Sequence, residues 1–224
     1  MTYTIIPTAD GSKTIFIPEI NEQYHSVNGA ITESEYIFVN KGFTFRKKNN
    51  PVVFETGFGA GLNALLTALN AEKTNRPTTY YAIEKHPLPH EITQALAYGD
   101  IISEEAATIY EKIHLCEWEK TVAITPHFKI HKIKADLIDF SFNTIPMFDI
   151  IYFDAFAPDK QPEMWTPEIF KKIYTNSSPE AVFVTYSAKG EIRRQLANIG
   201  FEVERLSGPP GKKHILRGIK KNIK

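Results

Sequence analysis

Residues 51–63 read PVVFETGFGAGLN. A short apolar strand, VVF, runs through Glu55 and Thr56 into Gly57, Gly59 and Gly61. LNALLTAL follows, with its apolar residues at helical spacing. Glycines at such a turn permit positive φ and let a ligand approach the backbone closely. The start of the helix offers free N–H groups. A strand, a glycine turn and a helix in this order form the general nucleotide-cofactor arrangement. The spacing here is G-x-G-x-G with Leu62 next, not the G-x-G-x-x-G of dinucleotide sites. Glu55 also stands directly before the turn. A carboxylate there disfavours a pyrophosphate but pairs well with an ammonium. S-adenosylmethionine carries an α-amino group and a sulfonium and no phosphate, so the turn fits that cofactor better than NAD.

Working outward, strands and helices alternate. TYYAIE (79–84) reads as the next strand, FKIHKIKADL (128–137) as another, and FDIIYFD (148–154) as a central strand covered on both faces. EAVFVTYS (180–187) is a further buried strand, and EIRRQLANIG (191–200) a helix ending in glycine. Helical stretches are expected around Ile92–Tyr98 and from Ser103 to Ile113, the latter capped by Ser103 with Glu104 and Glu105 in its first turn. FEVERL and HILRGIK flank Gly208-Pro209-Pro210-Gly211, which suggests an antiparallel pair at one edge. The first 45 residues form a separate appendage: TYTII and KTIFIP split by Asp10-Gly11 as a hairpin, then Thr32-Glu33-Ser34-Glu35 as a capping box opening a helix to about Val39. The expected fold is α/β: a doubly wound, mostly parallel, seven-stranded Rossmann-like sheet over 46–224, with a small N-terminal hairpin and helix (1–45) packed on it.

Composition bounds the function. With 224 residues and 42% hydrophobic content, one globular domain with an extension is expected. No apolar run is long enough to span a bilayer. The start, MTYTIIPTADGSK, lacks the pattern of a secretory leader, and the lone Cys116 suits a reducing compartment as a small apolar side chain. A cytoplasmic protein without membrane contact follows, and nothing requires more than a monomer. Formal net charge is zero, yet from Tyr186 onward ten Lys or Arg face three Asp or Glu. That separation can give a neutral protein a positive face for nucleic acid; the simpler reading is a solvated helix face and a basic end.

In sheets of this kind ligands bind beyond the carboxyl ends of the strands. Three acids stand there in order: Glu55 before the glycine turn, Glu84 at the end of TYYAIE, and Asp136 in KADL. Glu84 suits ribose hydroxyls, and Asp136 the adenine amino group. Asn63 in the first helical turn and Lys85 beside Glu84 complete the candidate cofactor set. The fourth strand ends at Asp154 and runs into Ala155-Phe156-Ala157-Pro158. This strand points at the transferable methyl, so Asp154 is also the candidate to hold an acceptor amine. An ordinary Asp titrates near 4, which favours orientation of the amine over proton abstraction. Phe156 and Trp165 are candidates to stack on a base, although packing beneath an ordered loop is the commoner role for a tryptophan. Pro158 and Pro162 would stiffen that loop. The histidines show no metal-ligand pattern.

FETGFGAGLN, AIEKHPL, DAFAPDKQPEMW, TYSAKGEIRRQL and GPPGKKHILRG, in this order, resemble the methyltransferase domain of MnmC-type tRNA-modification enzymes, in its stand-alone (MnmD-like) form. The similarity runs from about Tyr24 to Ile219, and Glu33-Ser34 fits it too. The resemblance implies an S-adenosylmethionine-dependent N-methyltransferase acting on 5-aminomethyl-2-thiouridine at the wobble position of the tRNA anticodon loop. It places Glu55, Gly57, Gly59, Gly61, Glu84 and Asp136 at the cofactor, and Asp154, Phe156 and Pro158 at the acceptor. It also implies phosphate contacts from Lys212 and Lys213. Ala155 replaces the glycine usual in this segment, and Gln161 and Glu163 stand where Asn and Asp are common. The chain leaves no room for the flavin domain of the bifunctional relatives, so no flavin is expected, and the absence of a metal-ligand pattern makes no metal expected. Two alternatives are an aminopropyl transferase of spermidine-synthase type and a non-catalytic RNA-binding module.

Overall fold

All six residues of Phe148–Phe153 are buried, and the sheet is assembled around them. The computed structural model describes residues 2–221, so Lys224 of the basic segment, like the extreme ends of both expected domains, lies outside the described residues. In chain order the elements are β1 (Thr4–Pro7), β2 (Lys13–Ile17), β3 (Glu22–Gln23), α1 (Ala30–Ser34) running on as a π-helix over Glu35–Phe43, β4 (Val52–Thr56), α2 (Leu62–Lys73) and β5 (Thr78–Glu84). Then come α3 (His90–Leu96), α4 (Tyr98–Ile102), α5 (Glu104–Leu115), β6 (Thr121–Thr125), β7 (Phe128–Lys134), β8 (Phe148–Phe153), α6 (Pro167–Thr175), β9 (Ser177–Thr185), α7 (Gly190–Ile199), β10 (Phe201–Ser207) and β11 (His214–Lys220).

The main sheet has the order β10-β11-β9-β8-β4-β5-β7-β6. The five strands from β9 to β7 are parallel; β11 and β6 run against them, and β10, antiparallel to β11, runs with them at its edge. It therefore has eight strands rather than the expected seven. The addition is TVAIT, whose Ile124 turns inward while Thr121 and Ala123 face solvent. That alternation is too short to stand out against the flanking polar residues. The expected antiparallel pair around the proline turn is present, with Phe201 opposite Lys220 and Ser207 opposite His214.

Successive residues of a strand face opposite ways, and β8 shows what that does. Ile150 and Tyr152 enter one core with α2, α5 and the N-terminal segment. Ile151 and Phe153 enter the other, with α6 and α7. The two acids flanking this strand's interior meet different fates. Asp149, fully buried near the amino end, is satisfied by Lys48 (2.7 Å), the Val52 N–H (2.8 Å) and Ser178 (2.5 Å). Asp154, just past the carboxyl end, opens onto a cleft.

The N-terminal segment forms its hairpin as expected, with Thr4 opposite Phe16 and Pro7 opposite Lys13, and β3 adds a third short strand. Its helix starts earlier than the expected capping box, at Ala30. Thr32 lies inside it, and its N–H and hydroxyl both donate to the Asp10 carboxylate (2.9 Å each). The cap is thus supplied by the hairpin turn, which no local pattern announces. Ile37, Phe38, Val39 and Phe43 then cover one face of the sheet. The expected caps elsewhere hold: Ser103 accepts from the Ala106 N–H (3.1 Å), and Gly200 ends α7 with φ 119°. The helical stretch near Ile92 breaks at Ala97 (φ 52°). Among the described residues, no helix is long and apolar enough to cross a membrane.

Candidate active site

The carboxyl ends of β4, β5, β7 and β8 open on one cleft of about 480 Å³. Strand order reverses beside β4, which leaves the crevice where open α/β sheets hold their ligands. Gly57 and Gly59 take positive φ (79° and 49°). A Cβ on Gly57 would lie 2.8 Å from the Asp154 carbonyl, and one on Gly59 3.1 Å from the Tyr24 ring. Only glycine allows the turn to press this closely on its neighbours. Gly61 packs away from the cleft, against Phe58 and His114.

Glu84 lines the cleft and fixes the turn: it accepts from the Gly59 N–H (3.1 Å) and the His86 N–H (2.8 Å). A carboxylate has about four acceptor positions, so capacity for ligand hydroxyls remains. Asp136 also lines the cleft, paired with Lys85 at 2.7 Å and accepting from the Ile138 N–H. The Lys85 ammonium holds the Asp136 carboxyl below its usual range.

Glu55 does not line the cleft; it lies behind it, 1% exposed. Asn63 stands between: its Nδ2 donates to Glu55 (2.9 Å) and to Asp154 (2.8 Å). Burial pushes the Glu55 carboxyl well above the usual range. The Asn63 Oδ1 and Glu55 Oε2 atoms are buried without a hydrogen-bond partner. Asn63 lines the cleft, and its unpartnered Oδ1 suits a donor-rich cation such as the α-ammonium of S-adenosylmethionine.

The other wall of the cleft is built on the loop after β8. Burial pushes the Asp154 carboxyl up to about 7; the Asn63 hydrogen bond opposes this, Glu33 adds to it, and Lys212 opposes it. Phe156 lines the cleft, edge-on to Tyr24 at 5.3 Å. Trp165 does not reach the cleft. It is 3% exposed, packs on Phe153 at 4.8 Å, and donates its indole N–H to the Phe156 carbonyl (2.7 Å). It props the loop from beneath, because a buried indole with a satisfied N–H is worth more as packing. Tyr186 ties the same loop through the Ala155 carbonyl (2.8 Å), and Lys160 ties it to the Ile20 carbonyl (2.9 Å). Pro158 lies in the loop outside the cleft lining.

Lys213 is exposed, whereas Lys212 turns into the cleft, 3.5 Å from Glu33 and 4.9 Å from the Tyr186 ring centre. The sequence reading did not give site roles to Tyr24, Glu33 or Tyr186. Glu33 and Tyr186 lie inside stretches that carry the family resemblance; Tyr24 carries no local signal, since it reaches the cleft only because its segment folds back over it.

The model of a family of S-adenosyl-L-methionine-dependent methyltransferases matches residues 103–221. The chain belongs to this family. It is 28% identical over 218 residues to the tRNA 5-methylaminomethyl-2-thiouridine biosynthesis bifunctional protein MnmC of Paraburkholderia phymatum, covering 92% of this chain and 33% of that protein. It is 29% identical over 238 residues to the MnmC protein of Paraburkholderia xenovorans, covering 97% of this chain and 36% of the relative. The chain thus spans about a third of the length of these curated relatives. The crystal structure of MNMC2 from Aquifex aeolicus superposes with a TM-score of 0.74 at 24% identity, over 100% of this chain and 73% of that one, which shows a shared fold. The similarity to MnmC proteins therefore runs over 92–97% of this chain.

Proposed function

We propose that this methyltransferase transfers a methyl group to the aminomethyl nitrogen of 5-aminomethyl-2-thiouridine at the wobble position of tRNA, giving 5-methylaminomethyl-2-thiouridine. The observation that carries the reading is the placement of Asp154. Its carboxylate faces the cleft at the end of the central strand, pinned by Asn63 beside the glycine turn and across from Phe156. The similarity to MnmC proteins supports the choice of tRNA and of this nucleoside.

S-adenosylmethionine, when bound, supplies a methyl on a positively charged sulfur. Glu84, Asp136, Asn63 and the glycine turn would hold it, with Glu55 setting the orientation of Asn63. The acceptor nitrogen must be neutral to attack. Asp154 can accept one of its N–H bonds and so aim the lone pair, which supplies much of the rate in an in-line displacement. With its carboxyl raised to about 7, Asp154 can also take the proton near neutrality. Phe156, edge-on to Tyr24, offers an aromatic surface to the base. Exposed basic residues of the closing segment, Arg205 and Lys213 among them, suit the phosphates of an anticodon stem-loop.

The aminopropyl-transferase reading counted Asp159, beside Asp154 in the sequence, among the acids that would hold a polyamine. Asp159 does not serve: its side chain is 62% exposed, paired with Lys189, and turned away from the cleft lining. The test is to incubate the protein with methyl-labelled S-adenosylmethionine and tRNA carrying 5-aminomethyl-2-thiouridine, then to identify the labelled nucleoside by mass spectrometry. Label in 5-methylaminomethyl-2-thiouridine supports the reading. Label on a ribose or ring atom, or transfer to free polyamines instead, contradicts it.

A further inference from the structure

Glu33 is 7% exposed, lines the cleft, and leaves its Oε2 without a hydrogen-bond donor. A carboxylate so placed is costly unless a cation meets it. Lys212 provides one, but loosely. Its Nζ lies 3.5 Å from Glu33 Oε2, beyond normal charge-assisted hydrogen bonding, and 4.9 Å from the centre of the Tyr186 ring. Asp154 faces the same space, and the charges of Glu33 and Lys212 both act on it. An acid, an aromatic face and a second acid at the end of β8 together make a site for an alkylammonium ion. Lys212 reaches it from the turn between β10 and β11, held by the Lys212 N–H to the Pro209 carbonyl (2.9 Å) and the Gly208 N–H to the Lys213 carbonyl (3.2 Å).

We propose that Glu33, Tyr186 and Asp154 form a cation subsite for the acceptor's protonated aminomethyl group, and that the Lys212 ammonium occupies this subsite until the acceptor displaces it. The proposal rests on the reading of the acceptor as an amine and names the residues that select it. It changes the role of Lys212 from phosphate contact to internal stand-in. An arriving ammonium takes over the contact with Glu33 and the ring face, the freed Lys212 moves outward, and the ammonium then passes one proton to the Asp154 carboxylate, which leaves the nitrogen neutral for attack. A neutral acceptor gains nothing from the exchange, so the subsite discriminates amines from hydroxyl groups.

The experiment titrates benzylammonium, an aromatic ring bearing an aminomethyl group, into the full chain saturated with S-adenosylhomocysteine, with benzyl alcohol as the neutral control. Lys212→Met should bind benzylammonium at least tenfold more tightly than the unaltered protein. Lys212→Arg, which keeps a cation in place, should not. Adding Glu33→Gln to Lys212→Met should abolish the gain, and benzyl alcohol should respond to none of these changes. Equal or weaker benzylammonium binding by Lys212→Met overturns the proposal, as does an equal gain for benzyl alcohol. If Glu33→Gln weakens S-adenosylhomocysteine binding as much as ammonium binding, Glu33 serves the fold and the proposal fails. If a separate tRNA-binding titration shows that Lys212→Met flattens the salt dependence while benzylammonium binding is unchanged, the residue contacts phosphate and the proposal fails. The benzylammonium titration uses no tRNA, so its outcome is separable from that of the labelled-methyl assay.

Discussion

The Asn63 carboxamide donates to the Asp154 carboxylate over 2.8 Å, joining the first turn of the helix after the glycine loop to the end of the central strand. Its second N–H goes to Glu55 at 2.9 Å, so one side chain couples the proposed cofactor and acceptor halves of the cleft. Replacing Asn63 by Leu removes both bonds and an opposing influence on the raised Asp154 carboxyl. Affinity for S-adenosylmethionine should fall about tenfold, which corresponds to ~1.4 kcal/mol. The acid limb of the pH–rate profile should also move upward. Calorimetry and steady-state kinetics read the two effects separately.

Methyl transfer should depend on pH through Asp154. Burial raises its carboxyl to about 7, so the ionised form that accepts a proton gains population as pH rises through neutrality. kcat/KM should rise through that region and level off above it. Asp154→Asn should lower kcat far more than it weakens cofactor binding. An equal loss in both would place Asp154 in the cofactor half alone.

The same shift bears on stability. An unfolded Asp titrates near 4. The folded carboxyl keeps its proton to about 7, so the folded state binds more protons between those values. Stability from this group therefore declines as pH rises through that window, and the whole cost is present above it. Asp154→Asn should raise the melting temperature relative to the unaltered protein at pH 8 and make little difference at pH 4. A gain confined to acid pH would contradict the assignment.

Gly57→Ala should be poorly tolerated. The residue sits at φ 79°, and the added methyl would meet the Asp154 carbonyl at 2.8 Å. A cost on the order of 2 kcal/mol is expected from strain and displacement. Thermal unfolding should show it, with cofactor binding reduced because the turn can no longer close against β8.

Trp165→Phe keeps most of the packing on Phe153 but deletes the bond from the indole N–H to the Phe156 carbonyl. A loss of about 1 kcal/mol in stability is expected. With the loop less firmly held, KM for tRNA should rise while cofactor affinity stays near its original value. A larger effect on cofactor binding would show that the loop serves the other half of the cleft.

The parallel sheet was legible because its strands are continuous apolar runs separated by helical periodicity, and the glycine turn because three glycines follow a strand within five residues. The edge strand β6 was not, since only alternate residues of a five-residue run turn inward. The start of α1 escaped because its cap, Asp10, comes from 22 residues away. At the site, acids at strand ends could be read in order, but exposure could not: Glu55 and Trp165 lie behind the residues they support. Glu33 and Tyr24 reach the cleft through the fold-back of the N-terminal segment, a tertiary fact with no local pattern. Lys212 looked like a phosphate contact because charge shows in sequence and direction does not.

The central claim is that the cleft at the carboxyl ends of β4, β5, β7 and β8 binds S-adenosylmethionine through the glycine turn and its acids. Calorimetric titration of the unaltered protein, Gly59→Val and Glu84→Ala with S-adenosylmethionine tests it most directly. The account expects one site per chain and at least a hundredfold loss in Gly59→Val, whose side chain would fill the cradle against Tyr24, with a marked loss in Glu84→Ala. Undiminished binding in both variants, each shown to be folded, would contradict it.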